Sequence, residues 1–343
     1  MEPKFILVTG GAGFIGSNFI PFFLDMHTDV KIVNLDKLTY AGNLENLEEV
    51  KKNDRYIFVK GDICNKELVD SLFQEYQFTT VINFAAESHV DNSISGPDSF
   101  IDTNITGTFN LLEVARKYWL SSANDEVEPI FKEAKFIHIS TDEVYGSLGT
   151  KGFFTEDSPY RPNSPYSASK ASSDFLVRSY FHTYGLKVII SNCSNNYGPK
   201  QHNEKFIPTI IRKALEGSPI PIYGTGKNVR DWLYVLDHCK AIDAIITNGK
   251  IGETYVIGGS TERDNLTIAF KICDILDEME PKPEGSYADQ ITFVDDRPGH
   301  DFRYAIDASK IKKDLGWLPE MNFDDGLKET VLWYKKRLRI KNT

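Results

Sequence analysis

This sequence predicts an α/β fold built on a doubly wound parallel sheet, and three observations carry that prediction. Short apolar runs of strand character alternate with helical patterns through residues 1–193. The first run feeds straight into a glycine-rich turn and an apolar helix. Several runs end in small or polar residues, where open α/β sheets present a ligand crevice. Residues 194–343 are more polar and richer in Pro, and read as a smaller α/β substrate-binding domain, with the chain free to cross back between the two.

Lys4–Thr9 reads as a buried strand. Gly10-Gly11-Ala12-Gly13-Phe14-Ile15-Gly16 follows, and apolar positions at Phe19, Ile20, Phe23 and Leu24 give a helix. Glycines let a pyrophosphate approach free N–H groups at a helix N-terminus. The next run, Val30–Leu35, ends in Asp36, placed to bind an adenosine ribose hydroxyl and to repel a 2′-phosphate. NAD is therefore favoured over NADP, although Lys37 weakens the repulsion. This is a Rossmann-type nucleotide-binding half. The bland alternative is a flavodoxin-like turn with no nucleotide.

Tyr56–Lys60 and Val81–Phe84 read as further strands, ending in Gly61-Asp62-Ile63 and Ala85-Ala86-Glu87-Ser88-His89. His89 could touch substrate or only cap its loop. A helix is expected from Pro97 to Leu120, with Ile101, Ile105, Phe109, Leu112 and Ala115 as its core stripe. Residues 121–135 read as a solvated connection.

The strand Phe136-Ile-His-Ile then runs into Ser140, Thr141, Asp142, Glu143 and Gly146. Adjacent carboxyls at a strand's carboxyl end can be driven to different pKa values, one acid and one base. A Pro-, Gly- and Ser-rich loop leads to Tyr166-Ser-Ala-Ser-Lys170, whose i, i+4 spacing puts phenol and ammonium on one helix face. A fixed cation there is expected to lower the phenol's pKa. A plain exposed helical turn is the alternative. Val188–Asn192 is the last expected strand of the sheet, and the alternation should stop near Pro199. Beyond it, Lys205, Arg230, Arg297 and His300 are candidate diphosphate partners, or surface ion pairs.

Composition narrows the classes. The chain has 343 residues, 41% hydrophobic and 26% charged, which suits an ordinary globular protein. A net charge of −10 argues against nucleic acid as a partner. The four cysteines form no CxxC, so neither a disulfide framework nor a metal site is expected. No stretch approaches a membrane span or a signal sequence, and the expected location is cytoplasmic.

Taken together, these motifs resemble the extended short-chain dehydrogenase/reductases that modify nucleotide sugars. Asn192-Cys-Ser-Asn-Asn-Tyr-Gly-Pro199, Arg230-Asp-Trp-Leu-Tyr-Val235 and Asp296-Arg-Pro-Gly-His-Asp301 add to the match. Thr141-Asp142-Glu143 points to the dehydratases among them, since epimerases usually carry Ser-Ser or Ser-Ala there and decarboxylases Thr-Ser-Glu. The resemblance implies NAD-dependent loss of water from a nucleoside-diphosphate hexose, with dTDP-glucose the expected substrate. Thr141, Asp142, Glu143, Tyr166 and Lys170 would be catalytic. Gly10, Gly13, Phe14, Ile15, Gly16, Asp36, Lys37, Thr39, Asp62, Ile63, Ala85 and Ala86 would join Tyr166 and Lys170 on the cofactor. Ser88, His89, Thr141, Asn195, Lys205, Arg230, Asn265, Arg297 and His300 would hold substrate. The resemblance also implies a homodimer built on the helices that follow residues 97 and 164. An isomerase or decarboxylase on another nucleotide sugar remains the alternative, as does a binding protein with a dead site. Asn92, Val256 and the segment Lys200-Gln-His-Asn203 depart from the family pattern.

Overall fold

A computed structural model describes residues 4–120 and 128–341; part of the expected connection 121–135 therefore lies outside the described residues. The first half runs β1 (Lys4–Thr9), α1 (Phe14–Met26), β2 (Val30–Asp36), β3 (Tyr56–Lys60), α2 (Lys66–Tyr76), β4 (Thr80–Asn83) and α3 (Val90–Ser95). It continues with α4 (Asp98–Phe100), a π-helical stretch Ile101–Gly107, α5 (Thr108–Trp119), β5 (Lys135–Thr141), α6 (Pro165–Tyr184) and β6 (Val188–Cys193). The second half runs β7 (Asn195–Tyr197), α7 (Phe206–Leu215), β8 (Ile220–Tyr223), β9 (Val229–Tyr234), α8 (Val235–Asn248), β10 (Thr254–Ile257) and β11 (Glu262–Asp264). It ends with α9 (Asn265–Met279), β12 (Ile291–Val294), α10 (Ser309–Leu315) and α11 (Phe323–Lys341).

Seven parallel strands form the main sheet in the order β10-β6-β5-β4-β1-β2-β3. The winding reverses between β1 and β4, so the crevice opens over the carboxyl ends of these strands and their neighbours. One apolar layer joins α1 and α8 to the sheet through Phe19, Phe23, Ile242 and Ile245. The other joins α2, α5 and α6 through Phe73, Leu111, Leu112 and Val177. Burial on both faces explains why these strands read as continuous apolar runs.

The sheet does not stop at β6 as expected. The chain leaves through β7 to β9, returns as α8, and adds β10 beside β6. Thr254–Ile257 is buried throughout, and α8 packs on α1, so this return covers what would otherwise be an open sheet edge. The separate unit holds β11-β9-β7 and β12-β8, and its core is closed by α7, α9 and α11 through Ile210, Ile272 and Val331.

The core stripe expected on the Pro97–Leu120 helix is corrected. Leu112 and Ala115 are buried, but Ile101 and Phe109 are exposed, at 47% and 39%. The π-helical stretch breaks the 3.6-residue period, and a polar residue takes the inner position. Asn104 is buried, donating to Glu87 O (3.0 Å) and Ser169 Oγ (2.8 Å) and accepting from Glu87 N–H (2.9 Å).

Candidate active site

A cleft of about 300 Å³ lies over the strand ends. Its cofactor side is made largely of backbone. Gly10 has φ +69°, and an added Cβ would meet Ala85 N at 2.6 Å. Gly16 backs onto Gly11 at similar range. Gly13 caps α1 with no side chain, leaving N–H groups free for an anion. Asp36 accepts Ala12 N–H (2.8 Å) and Leu38 N–H (2.8 Å), which fixes the carboxylate at the end of β2. Burial nevertheless lifts Asp36 above the usual carboxylate range. Lys37 pairs with Asp62 at 2.7 Å. Burial opposes ionisation of Asp62, but Lys37 and the Cys64 N–H hold its carboxyl below the usual range.

All of the expected cofactor residues line this cleft: Gly10, Gly13, Phe14, Ile15, Gly16, Asp36, Lys37, Thr39, Asp62, Ile63, Ala85 and Ala86, with Tyr166 and Lys170. The glycine cradle and the acceptor-only acid at the end of β2 suit an adenine dinucleotide.

The reactive wall combines the end of β5 with the first turns of α6. Thr141 caps the short 3₁₀ turn Asp142–Tyr145, accepting Glu143 N–H at 3.2 Å. Ser164 and Ser167 form a reciprocal cap on α6, and Pro165 starts it, so Tyr166 and Lys170 lie on its first two turns. Thr141, Asp142, Glu143, Tyr166 and Lys170 all line the same cleft.

The two carboxyls differ. Asp142 is 1% exposed, and its Oδ2 has no hydrogen-bond partner. Burial, then Glu143 and Asp231, push its pKa well above the ordinary value, so it keeps its proton. Glu143 is also raised by burial, but Arg297, Arg230 and Lys205 all pull it back toward the carboxylate. Burial lifts the Tyr166 phenol well above its normal value, and Glu143 and Cys193 add to that; Thr141 is a neighbour that lowers it. The expected depression by Lys170 is thus overridden in this structure. The ammonium donates instead to Ile139 O at 2.8 Å, and burial draws its pKa down to about 8.

The substrate residues divide. Ser88, Asn195 and Lys205 line the cleft, with Lys205 donating to Ser88 O (2.7 Å). The Asn195 Oδ1 and Ser194 Oγ atoms are buried without protein partners. Arg230 and Arg297 stand close enough to bias Glu143, and His300 feels both. Their side chains are already engaged. Arg230 donates to Val229 O (2.8 Å) and Asp301 O (2.9 Å) and lies over the Tyr304 ring. Arg297 meets Asp91 at 3.4 Å, and His300 meets Asp296 at 2.6 Å. His89 accepts Asn92 N–H (3.3 Å), which is the loop-capping alternative. Asn265 begins α9, its N–H on Asn228 O (3.2 Å), away from the cleft lining.

Glu87, Cys193, Ser194 and Asn196 also line the cleft and were not singled out. They sit inside two of the quoted motifs, so a signal was present. Thr103, Gln201 and His202 line it too. Thr103 had no signal, because it lies on a helix read only for its apolar positions.

The family described as GDP-mannose 4,6 dehydratase matches residues 7–330. The chain belongs to that family. Within it, the chain is 55% identical over 329 residues to a dTDP-glucose 4,6-dehydratase of Xanthomonas campestris pv. campestris, covering 96% of this chain and 92% of that one. A Bacillus anthracis dTDP-glucose 4,6-dehydratase solved in complex with NAD superposes with a TM-score of 0.85 at 46% identity, covering 98% of each chain. A Streptomyces venezuelae dTDP-glucose 4,6-dehydratase with NAD and TYD bound gives 0.88 at 42%, again over 98% of each.

Proposed function

We propose that this chain is an NAD-dependent hydro-lyase that converts dTDP-glucose to dTDP-4-keto-6-deoxyglucose and water, a step toward deoxysugars. The observation that carries the reading is the unequal carboxyl pair: a buried Asp142 that keeps its proton beside a Glu143 faced by three cations. The relatives at 55% and 46% identity, both dTDP-glucose 4,6-dehydratases, support the substrate.

The redox chemistry comes from NAD when bound, hydride leaving C4 of the hexose and returning at C6. Gly10, Gly13 and Gly16 would hold the cofactor's diphosphate, and Asp36 its adenosine ribose. Tyr166, whose phenol burial holds protonated, would take the proton of the C4 hydroxyl as the phenolate that the positive charge of an oxidised nicotinamide beside it would favour, and Thr141 donates a hydrogen bond to the ketone that forms. That ketone acidifies C5–H; Glu143 removes the proton and gives it back to C5 as hydride arrives at C6. Asp142 protonates the C6 hydroxyl, which leaves as water. Each proton transfer contributes ~10²–10⁴-fold. Lys205, Arg230, Arg297 and His300 balance the diphosphate, and Ser88 and Asn195 orient the sugar.

Incubation with dTDP-glucose should give a product lighter by one water. Asp142→Asn should slow elimination more than C4 oxidation, so the absorbance of reduced cofactor builds up. A product of unchanged mass would instead favour the isomerase, in which Asp142 has no leaving group to protonate.

The protein is a cytoplasmic homodimer in this reading. Among the described residues no helix is long and apolar enough to cross a membrane, and the four cysteines are free thiols. Ile101, Phe109 and Phe175 expose an apolar face across the 97–119 helix and α6. Sedimentation of Phe175→Asp should show monomer; an unshifted dimer would place the interface elsewhere.

A further inference from the structure

Beneath the reactive wall lies a polar cluster that the chemistry above leaves unused. Asp174 sits one turn beyond Lys170 on α6 and is fully buried. Its Oδ2 accepts from Ser140 Oγ (2.9 Å), Tyr160 Oη (2.9 Å) and Asn192 Nδ2 (3.1 Å). Its Oδ1 lies 3.3 Å from His138 Nε2. Asn192 also donates to Thr141 O (3.1 Å), so the cluster ties β5, β6 and α6 together behind Thr141. Three donors gathered on one oxygen of a fully buried carboxylate is a costly arrangement unless the carboxylate's charge is needed.

We propose that Asp174 is a positioning residue, whose buried carboxylate, held by Ser140, Tyr160 and Asn192, is the counter-charge that keeps Lys170 an ammonium against the Ile139 carbonyl. This rests on the dehydratase reading, in which Lys170 serves Tyr166 and the cofactor.

The groups facing this pair leave Asp174 as the lysine's main anion. On α6, burial keeps the Tyr166 phenol neutral. On β6, burial pushes the Cys193 thiol up to about 12. After β5, Asp142 holds its proton, and Glu143 is matched by Arg230, Arg297 and Lys205. On β5, burial outweighs Asp174 and lowers His138 to about 4, so the imidazole is neutral and Lys170 is the cation that Asp174 serves. Tyr145 and Tyr160, which also face Asp174, are both raised by burial and carry no charge. Arg178, the next turn of α6, is turned to Thr254 Oγ1 (2.9 Å). Asp174 itself is held below the usual carboxylate range despite burial, by its bonds to His138 and Ser140 and by Lys170.

The test uses full-length protein with ¹³C at the lysine ε-carbons, the Lys170 signal being the one absent in Lys170→Met. Lys170 should titrate lower in Asp174→Asn than in the parent by about one pH unit or more. The alkaline limb of the dehydration rate should move down with it, while KM for dTDP-glucose changes little. Asp174→Glu should restore part of both. An unmoved lysine titration, with activity lost only in proportion to folded protein, would reduce Asp174 to a packing role and overturn the proposal. If Asp174→Asn does not fold, Lys170→Met reads the pair from the other side: the Asp174 carboxyl should titrate higher than in the parent, and an unchanged value overturns the proposal. Neither titration needs substrate. A parent protein that fails to dehydrate dTDP-glucose would therefore sink the functional reading while the titrations still decide the pairing.

Discussion

The two ends of the cleft are built on different principles. The cofactor end is backbone and small residues, contributed by turns that directly follow β1, β2, β3 and β4. The proposed substrate end draws on long charged side chains from the residue before α7, from β9 and from the 296–301 segment, each already bonded within the protein. The first end is rigid before anything binds, because its shape is set by excluded volume at Gly10 and Gly16. In the proposed function the second would trade protein partners for ligand oxygens, so its affinity would be a difference between two sets of hydrogen bonds. One end tolerates no added atom, and the other tolerates change at the cost of affinity.

The sharpest way to break that contrast is at Gly10. Gly10→Val places a Cβ against Ala85 N in a left-handed backbone, a strain of ~1–3 kcal/mol before any clash. NAD binding measured by calorimetry should be abolished and the melting temperature should fall. Retained binding would mean that the turn can yield, and the cofactor end would not be rigid. A smaller effect is expected at the other end. Arg297→Met should raise KM for dTDP-glucose roughly tenfold with kcat nearly unchanged, the signature of lost uniform binding. Arg230→Met should add a stability loss of ~1–3 kcal/mol, since its guanidinium anchors three carbonyls while 5% exposed. Equal melting temperatures for the two variants would show that Arg230 is as free as Arg297.

The smallest effect concerns the wall between the two ends. Asp142 is raised in the fold, so the native state keeps a proton that the unfolded chain sheds above about 4. Stability contributed by that proton is therefore lost as pH rises from there. Asp142→Asn should flatten this decline, making the fall in melting temperature between about pH 4 and 7 smaller by about 2 °C or more. A parallel curve would mean that Asp142 ionises freely in the folded protein.

The same division explains what could be read in advance. The expected cofactor residues meet in one cleft because most follow their own strand: a glycine turn after Lys4–Thr9 and an acid closing Val30–Asp36 are local patterns, and the sheet's parallel order brings their ends together. Thr141, Asp142 and Glu143 close β5 in the same way, whereas Tyr166 and Lys170 were singled out by their i, i+4 spacing at the start of a helix. The exposed Ile101 and Phe109 were misread because a π-helical stretch and the buried Asn104 turned the helix away from a simple period. The missing seventh strand was misread because Thr254–Ile257 is only four residues and joins the sheet after a long excursion.

Chain order and residue type were enough to specify six of the sheet's seven strands, the glycine cradle and the pair of acids, since turn conformation and side-chain chemistry act over a few residues. The separation of Asp142 from Glu143 in proton affinity, the hydrogen bond of Lys170 to Ile139 O, and the prior commitments of Arg230 and Arg297 arise from groups up to about two hundred positions apart. Charge and desolvation act through space, and distance in the folded core bears no relation to distance along the chain.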